Sequence, residues 1–185
     1  MPTYTRSATV FTVASESGSN TLWTNENNAL ADDASNASSA YPTNYLITSS
    51  PSVSWTVGPP ADGETATGSP TLSDLTITVK SNVINNGTGT MELYQDATLV
   101  STKTYSLSGS QTQTWSGDNT YWGLTLTNIF SMDNISVQWK ASGGNNTVQV
   151  NFIGASFSIS QDYTSGGGGG ERRRAVFVAK NNPDS

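Results

Sequence analysis

The sequence predicts an all-β fold, an antiparallel β-sandwich or jelly roll of about eight to ten strands with a flexible C-terminal arm. Three observations predict it. Apolar and polar residues alternate with a period of two in several short runs, turn-forming residues separate these runs, and serine and threonine make up 53 of the 185 residues. Such alternation is typical of strands with one buried face. Serine and threonine disfavour helices, because their hydroxyls compete for the backbone.

The clearest alternation runs from residue 75 to residue 79, where Leu75, Ile77 and Val79 point to one face and Thr76 and Thr78 to the other. Four further runs have the same pattern: Met91 and Leu93; Ile135, Val137 and Trp139; Val148, Val150 and Phe152; Ala155, Phe157 and Ile159. We therefore expect half-buried strands of antiparallel sheets, with Trp139 in the core.

Turn-forming residues predict the connections between these strands. Segments rich in glycine, proline and asparagine predict a surface loop at 58–70 and hairpin loops at 85–89 and 142–146. A tight turn at 95–97 is expected to lead into a further strand over 99–105. The polar segment 25–40 predicts one short helical turn.

Composition divides the chain into a sandwich domain at 1–165, a polyglycine linker at 166–170 and a C-terminal arm at 171–185. Five consecutive glycines provide no side chain to pack, which predicts a flexible linker. Residues 1–165 hold twelve acidic and four basic residues, a net charge of −8, whereas residues 166–185 hold four basic and two acidic residues, a net charge of +2. The acidic domain lacks the clustered cations that bind phosphates, so nucleic-acid binding is not expected.

The residue types that are missing exclude several chemistries. The chain has no cysteine and no histidine, which removes disulfides, thiolate nucleophiles, Ser-His-Asp triads and histidine-ligated metals. An enzyme would then have to use paired carboxylates, a lysine or a tyrosine, and the densest acidic site is Asp32 and Asp33. We predict a protein without catalytic activity, catalytic residues or a cofactor, with a carboxylate-based hydrolase as the alternative. Asp32 and Asp33, with Asn28 and Asn36 nearby, offer oxygen ligands for calcium, but a solvated turn is the favoured interpretation. No apolar run is long enough for a signal peptide or a membrane span, so no membrane association is expected.

Aromatic residues suggest one binding hypothesis. Trp115, Tyr121 and Trp122 lie in or beside the loop-rich segment 116–123, and exposed aromatic rings stack on sugars. These three residues are the candidate contacts for a glycan. The competing interpretation is core or edge packing, which is commoner for large aromatic side chains.

The arm contains three consecutive arginines followed by a β-prone apolar segment. Its candidate docking residues are Arg172, Arg173, Arg174, Ala175, Val176, Phe177 and Val178. One interpretation is a solvated tail, and a second is a short nucleic-acid arm, which three arginines support poorly. In the third, the arginines bind acidic side chains while 175–178 adds a strand to the sheet of another chain. A free apolar β-segment is an aggregation hazard, so we expect a partner to cover it.

A series of short motifs follows along residues 20–160: LWTN at 22–25, NALADD at 28–33, NYL at 44–46, LSDLTITVK at 72–80, WGL at 122–124, NISV at 134–137, VNFI at 150–153 and FSI at 157–159. Together they resemble the β-sandwich domains common among tailed-bacteriophage virion proteins. Those domains open with a W-x-N-x-x-N-A-x-x-D pattern that precedes an N-Y-L strand.

The resemblance implies a structural component of a virion, assembled in the host cytoplasm and located in the head, neck or tail. We expect a non-enzymatic capsid decoration or head-fibre subunit, a dimer or trimer, whose arm anchors it to capsid proteins or sister subunits. The alternative is a glycan- or receptor-binding adhesin module of a phage tail or fibre.

Overall fold

The computed structural model describes residues 1–8, 14–17, 23–40, 44–142 and 147–165. Its strands are β1 Thr3–Ala8, β2 Ala14–Ser17, β3 Trp23–Thr24, β4 Ala37–Ser39, β5 Tyr45–Thr48, β6 Ser54–Trp55, β7 Thr65–Gln95, β8 Thr98–Gly117, β9 Ile135–Ser142 and β10 Val148–Thr164. A 3-10 helix spans Glu26–Leu30, and a one-turn helix, α1, spans Asn119–Trp122. All ten strands join one antiparallel sheet, which confirms the all-β prediction.

A long hairpin of β7 and β8 forms the frame of the molecule. The two strands pair from Leu75 with Gly117 up to Gln95 with Thr98. The register shifts between Val83 and Gly87 of β7, and a β-bulge of this kind bends a strand and increases its twist.

The other edge of β7 is shared by two strands. β10 pairs with the first part of β7, over 65–83, and β9 pairs with the last part, over 88–95. From β10 the sheet continues to β1 and β6, with β4 and β3 also attached, whereas from β9 it continues to β5 and β2. The sheet therefore divides near the bulge into two halves that share one hairpin.

Side chains from the two halves meet in one core. Trp23 of β3 packs edge-on against Trp139 of β9, with ring centroids 6.1 Å apart. The Trp139 Nε1 donates to the Tyr105 hydroxyl at 2.9 Å, and that hydroxyl lies 3.3 Å from the Ser81 hydroxyl across the core. This shared core gives the sheet its sandwich-like arrangement.

The predicted alternation is confirmed for three runs of residues, two on β7 and one on β9. These residues are fully buried: Leu75, Ile77, Val79, Met91, Leu93, Ile135, Val137 and Trp139. Full burial of one such aliphatic side chain contributes about 1.5–3 kcal/mol, so this set supplies much of the driving force for folding.

In β10 the predicted alternation holds at Val148 and Val150 but is wrong at Phe152, which is only half-buried. The register against β7 shifts between Val150 and Phe152, so the following residue, Ile153, is buried in its place. One extra residue reverses the two faces of a strand. The Phe152 ring lies over Gly154, where an added Cβ would come within 2.1 Å of the ring. Alternation then resumes as predicted, with Ala155, Phe157 and Ile159 buried.

The hairpin loop predicted at 85–89 is wrong, because β7 runs through this segment without a break. Gly89 lies opposite Tyr105 of β8, and an added Cβ would lie 2.5 Å from the Tyr105 ring. This glycine therefore allows a ring to lie close to the backbone and forms no turn. The predicted loop at 58–70 is also too long, since β7 begins at Thr65, and β8 continues past 105 to Gly117.

Other predicted connections have mixed outcomes. The turn between β7 and β8 is confirmed at residues 96 and 97, and the single short helical piece in 25–40 is the 3-10 helix. Residues 143–146 of the predicted loop at 142–146, and all of the linker and arm at 166–185, lie outside the described residues. The described segments contain no helix with the length and hydrophobicity needed to cross a membrane.

Candidate functional site

A pocket of about 500 Å³ lies between the β7–β8 turn and the segment that connects α1 to β9. Its walls come from residues 95–100 of the hairpin and residues 125–134 of the connection. The lining residues are Gln95, Asp96, Thr98, Val100, Thr125, Thr127, Asn128, Phe130, Ser131 and Asn134. Most of these side chains are uncharged and polar, and Asp96 is the one ionisable residue among them.

The wall contributed by the hairpin begins with the tight turn. Asp96 and Ala97 have positive φ angles of 49° and 62°. Two adjacent residues of this kind form a type I′ turn, which matches the twist of a hairpin. Alanine has no side-chain group that favours the left-handed region, so Ala97 holds a strained conformation beside the pocket.

Buried Gln95 joins the two walls. Its Nε2 donates to the Thr125 carbonyl at 2.9 Å and to the Ser131 carbonyl at 3.1 Å, and its Oε1 accepts from the Thr125 backbone N–H at 3.0 Å. Each bond to a buried amide contributes about 1 kcal/mol, and leaving one unmade costs more. The floor of the pocket is therefore held in one geometry.

Asp96 and Asn134 form the polar rim. The Asn134 Nδ2 donates to the Asp96 carboxylate at 2.8 Å, and the Asp96 backbone N–H donates to the Asn134 carbonyl at 3.2 Å. Only one Asp96 carboxylate oxygen, Oδ1, takes part in these bonds. Within the described segments, the second oxygen is left able to accept from a ligand.

A local hydrogen-bond network fixes the opposite wall. The Ser131 hydroxyl accepts from the backbone N–H groups of Thr127 and Asn128, at 2.9 and 3.1 Å. The Asn128 Oδ1 accepts from the Phe130 backbone N–H at 2.7 Å. These bonds leave the Asn128 Nδ2 without a partner among the described residues, so it is a donor that faces no competition within the protein.

Phe130 supplies the aromatic surface of the pocket, with 47 % of its area exposed. Its neighbour Arg6 is buried, with its guanidinium carbon 4.7 Å from the Phe130 ring centroid and 5.1 Å from that of Trp55. Arg6 also forms a salt bridge to Asp133 at 2.6 Å and donates to the Ile129 carbonyl at 3.3 Å. Cation–π contacts and this ion pair hold the ring of Phe130 in place.

This arrangement suits binding better than hydrolysis. A glycoside hydrolase uses two carboxyl groups flanking the bond that breaks, whereas Asp96 is the single carboxylate among the lining residues. Fixed amide, hydroxyl and carboxylate groups can orient a small polar ligand beside the exposed Phe130 ring.

The three aromatic residues predicted to contact a glycan lie elsewhere and do not form one surface. The hypothesis is wrong for Trp122, which is 0 % exposed and donates its Nε1 to the Leu75 carbonyl at 2.8 Å. Trp115 is half-buried and packs edge-on against Tyr105, with centroids 5.5 Å apart. Tyr121 is 44 % exposed and lies under the Lys103 ammonium, which is 3.8 Å from its ring centroid.

The acidic pair considered for calcium is engaged in other contacts. Asp32 forms an ion pair with Lys80, and the Asp33 carboxylate accepts from the Ser35 backbone N–H at 2.6 Å, as in an Asx-turn. In the described segments, no three acidic side chains cluster in a way that would hold a metal ion. Both contacts agree with the interpretation as a solvated turn.

A second polar cluster lies on β5, β7 and β9. The Glu92 carboxylate accepts from the Tyr45 hydroxyl at 2.7 Å and from the Tyr94 hydroxyl at 2.9 Å, and the Lys140 ammonium lies 4.2 Å from the Tyr45 ring centroid. Burial and the bond to Glu92 raise the pKa of Tyr94 to about 12. Burial raises the pKa of Tyr45 as well. Both phenols therefore stay neutral well above neutral pH.

Sequence reasoning identified the turn at 95–97 but missed the pocket beside it. The pocket depends on the pairing of that turn with 125–134, which are far apart along the chain. One feature of the sequence could have indicated the pocket. The segment that contains Asn128, Phe130 and Ser131 shows no alternation, so a large aromatic side chain there has no strand face to occupy.

Compared with known proteins, the sequence matches no family model and no curated protein. The predicted docking residues 172–178 lie outside the described segments.

Proposed function

We propose that this chain is a non-enzymatic structural protein of a phage virion, a capsid decoration or head-fibre subunit. In this proposal the sandwich faces outward, and the arm at 171–185 binds capsid proteins or sister subunits. The expected state is a dimer or trimer on the particle.

The observation that carries the proposal is the free edge of β8. This strand is 20 residues long, and β7 is its only strand partner in the described part of the chain. An open edge presents unpaired backbone N–H and C=O groups, which readily accept a strand from another chain. Lys103 is the only charged residue on β8, and β8 has no proline, so few features protect the edge from pairing.

The arm has the chemistry to use such an edge. Residues 175–178 (AVFV) have high β-propensity. The preceding arginines, Arg172 to Arg174, carry positive charge toward a domain whose net charge is −8. Backbone pairing supplies affinity and the charges supply orientation, as in other strand-addition complexes. We therefore propose β8 of a neighbouring subunit as one acceptor of the arm.

The motifs that resemble virion sandwich domains bear mainly on the fold. Trp23, Leu75 and Trp122 are core residues, and Tyr45 and Leu46 of the NYL segment lie on β5. The virion role therefore rests on the arm and on the edge of β8, and its test has to address these two features.

Removal of residues 171–185 tests the proposal. Since all described strands and the core lie within 3–164, the shortened chain is expected to keep its circular dichroism spectrum and melting temperature. Its occupancy on particles should fall to background, and its sedimentation coefficient should become that of a monomer. Phe177→Asp should have the same effect in the full-length chain, whereas Lys180→Ala is the matched control. Unchanged occupancy and unchanged sedimentation would overturn the role of the arm.

A second candidate function is a glycan- or receptor-binding adhesin module of a phage tail or fibre. The pocket beside the β7–β8 turn favours it, because that pocket combines an exposed ring with fixed polar groups. Trp122 does not favour it, because the ring is buried.

A further inference from the structure

We infer that the pocket between the β7–β8 turn and residues 125–134 is a saccharide site, with Phe130 as its stacking surface. Asp96, Asn134 and Asn128 would form hydrogen bonds to sugar hydroxyls. The inference rests on the second candidate function only, and it holds whether or not the arm anchors the chain to a particle.

Phe130 presents an aromatic ring to the pocket, with 47 % of its surface exposed. A ligand that covers this ring removes apolar surface from water, which favours binding. Phe130 is also in contact with the Arg6 guanidinium and packs edge-on against Trp55, with ring centroids 5.9 Å apart. A ring fixed in this way loses little entropy when a sugar stacks on it, and its electron-rich face attracts the C–H groups of a pyranose.

The polar residues of the pocket can form hydrogen bonds with a sugar. A sugar hydroxyl both donates and accepts, so its site needs acceptors and donors side by side. The Asp96 carboxylate has one oxygen that makes no bond within the described segments, and the Asn128 Nδ2 is a free donor there. Asn134 keeps Asp96 in place, because its amide donates to the Asp96 carboxylate at 2.8 Å. Acceptor and donor are thus fixed before the ligand arrives, which limits the entropic cost of binding.

Charge and size restrict the class of ligand. Among the residues that the structure describes, no lysine or arginine lines the pocket, and its single charge is the Asp96 carboxylate. Phosphorylated or sulfated ligands would therefore be repelled, whereas neutral polyhydroxylated ligands would not. The volume of about 500 Å³ lies in the range of roughly 300–1,000 Å³ that small-ligand sites occupy. A neutral mono- or disaccharide is the ligand class that fits these properties.

The test is titration of the full-length chain with neutral mono- and disaccharides of glucose, galactose, mannose and N-acetylated hexosamines. Isothermal calorimetry measures affinity, and tryptophan fluorescence reports on Trp55, which contacts Phe130. We expect saturable binding of at least one sugar with a dissociation constant of about 1 mM or tighter. Phosphorylated forms of the same sugar should bind at least tenfold more weakly.

Two variants locate the site. Phe130→Ala and Asp96→Asn should each weaken binding at least tenfold, and asparagine at 96 still tolerates the left-handed backbone and accepts from Asn134. Tyr121→Ala is the matched control, because Tyr121 is equally exposed but lies outside the pocket. It should bind sugar like the parent chain. If Phe130→Ala unfolds, Asp96→Asn and Asn128→Ala still decide the question.

Two results would overturn the inference: no saturable binding of any neutral sugar, or binding that survives both pocket variants. The chain that ends at Ser165 distinguishes failure of this inference from failure of the attachment proposal. It should bind sugar as tightly as the full-length chain but lose its occupancy on particles. If it loses occupancy while neither it nor the full-length chain binds sugar, the arm proposal stands and the pocket inference is wrong.

Discussion

Arg6 lies over the ring of Phe130, with its guanidinium carbon 4.7 Å from the ring centroid, and at the same time forms a 2.6 Å salt bridge with Asp133. Arg6 is on β1, while the other two residues are in the connection between α1 and β9. One buried side chain therefore ties the first strand to the wall of the pocket. Its Nε has no hydrogen-bond partner among the described residues, so the ion pair and the aromatic contacts bear most of the stabilisation.

Arg6→Ala should lower the free energy of unfolding by about 2–4 kcal/mol. Breaking a buried ion pair costs about 3–5 kcal/mol, and the cost is smaller here because the Asp133 side chain is 36 % exposed. Lys103→Ala is the control, since Lys103 contacts Tyr121 and Trp122 but has no carboxylate partner in the described segments. That change should cost about 1 kcal/mol or less. Urea unfolding measures the free energy of unfolding of both variants. Equal losses of stability would contradict the larger contribution assigned to Arg6.

Gly89→Ala should destabilise the chain by about 1–3 kcal/mol, because a Cβ would lie 2.5 Å from the Tyr105 ring. The hydroxyl on this ring accepts the hydrogen bond of the Trp139 indole, so displacement of Tyr105 would also weaken the contact between the two halves of the sheet. Gly58→Ala is the matched control, since nothing lies within 4 Å of an added Cβ there. A thermal midpoint for Gly89→Ala at or above that of Gly58→Ala would show that the ring can move aside.

Ala97→Gly should raise stability by up to about 1 kcal/mol. Relief of a left-handed alanine is worth about 1–2 kcal/mol, and the added freedom of glycine in the unfolded chain offsets about 0.4–1 kcal/mol. Ala34→Gly is the control, because Ala34 is exposed and its φ is not positive. Glycine relieves no strain there, so only its added freedom in the unfolded chain remains and stability should fall. Opposite signs for the two variants in urea unfolding are the expected result. A loss of stability at both positions would contradict the strain at Ala97.

Alkaline pH should destabilise the protein partly through Tyr94. The folded pKa is raised to about 12, while an unfolded tyrosine has a pKa of about 10. Between these values the folded state holds a proton that the unfolded state has lost. Stability from this group is therefore full below pH 10 and falls as pH rises toward 12.

Tyr94→Phe isolates this contribution. The variant should lose stability less steeply with pH than the parent chain above pH 10, as measured by urea unfolding at a series of pH values. Glu92→Gln should also flatten the curve, because the Glu92 carboxylate contributes to the raised pKa of both Tyr94 and Tyr45. Identical slopes for Tyr94→Phe and the parent chain would refute the assignment.

Local alternation was enough to predict much of the fold. The burial of Leu75, Ile77 and Val79 could be predicted without the rest of the chain, because it follows from a period of two. Phe152 could not be predicted, since its orientation depends on a bulge against β7. Gly89 was assigned to a turn because the ring that requires it, Tyr105, is 16 residues away on the next strand.

The candidate site was less accessible from the sequence. Trp122 looked like a loop aromatic, yet α1 turns it into the core, where its indole N–H bonds to the Leu75 carbonyl. No sequence pattern links Phe130 with Asp96, because the pocket forms only where two segments that are distant along the chain meet. Strand faces follow from neighbours along the chain, whereas a pocket follows from contacts between segments.

Electron cryomicroscopy of purified particles that carry the full-length chain tests the central claim most directly. We expect ordered copies of the sandwich on the outer surface, with residues 175–178 of each copy as an additional strand against β8 of a neighbouring copy or against a sheet edge of a capsid protein. Particles carrying the chain that ends at Ser165 should lack this density. Absence of the sandwich from particles made with the full-length chain, or equal density with and without the arm, would contradict it.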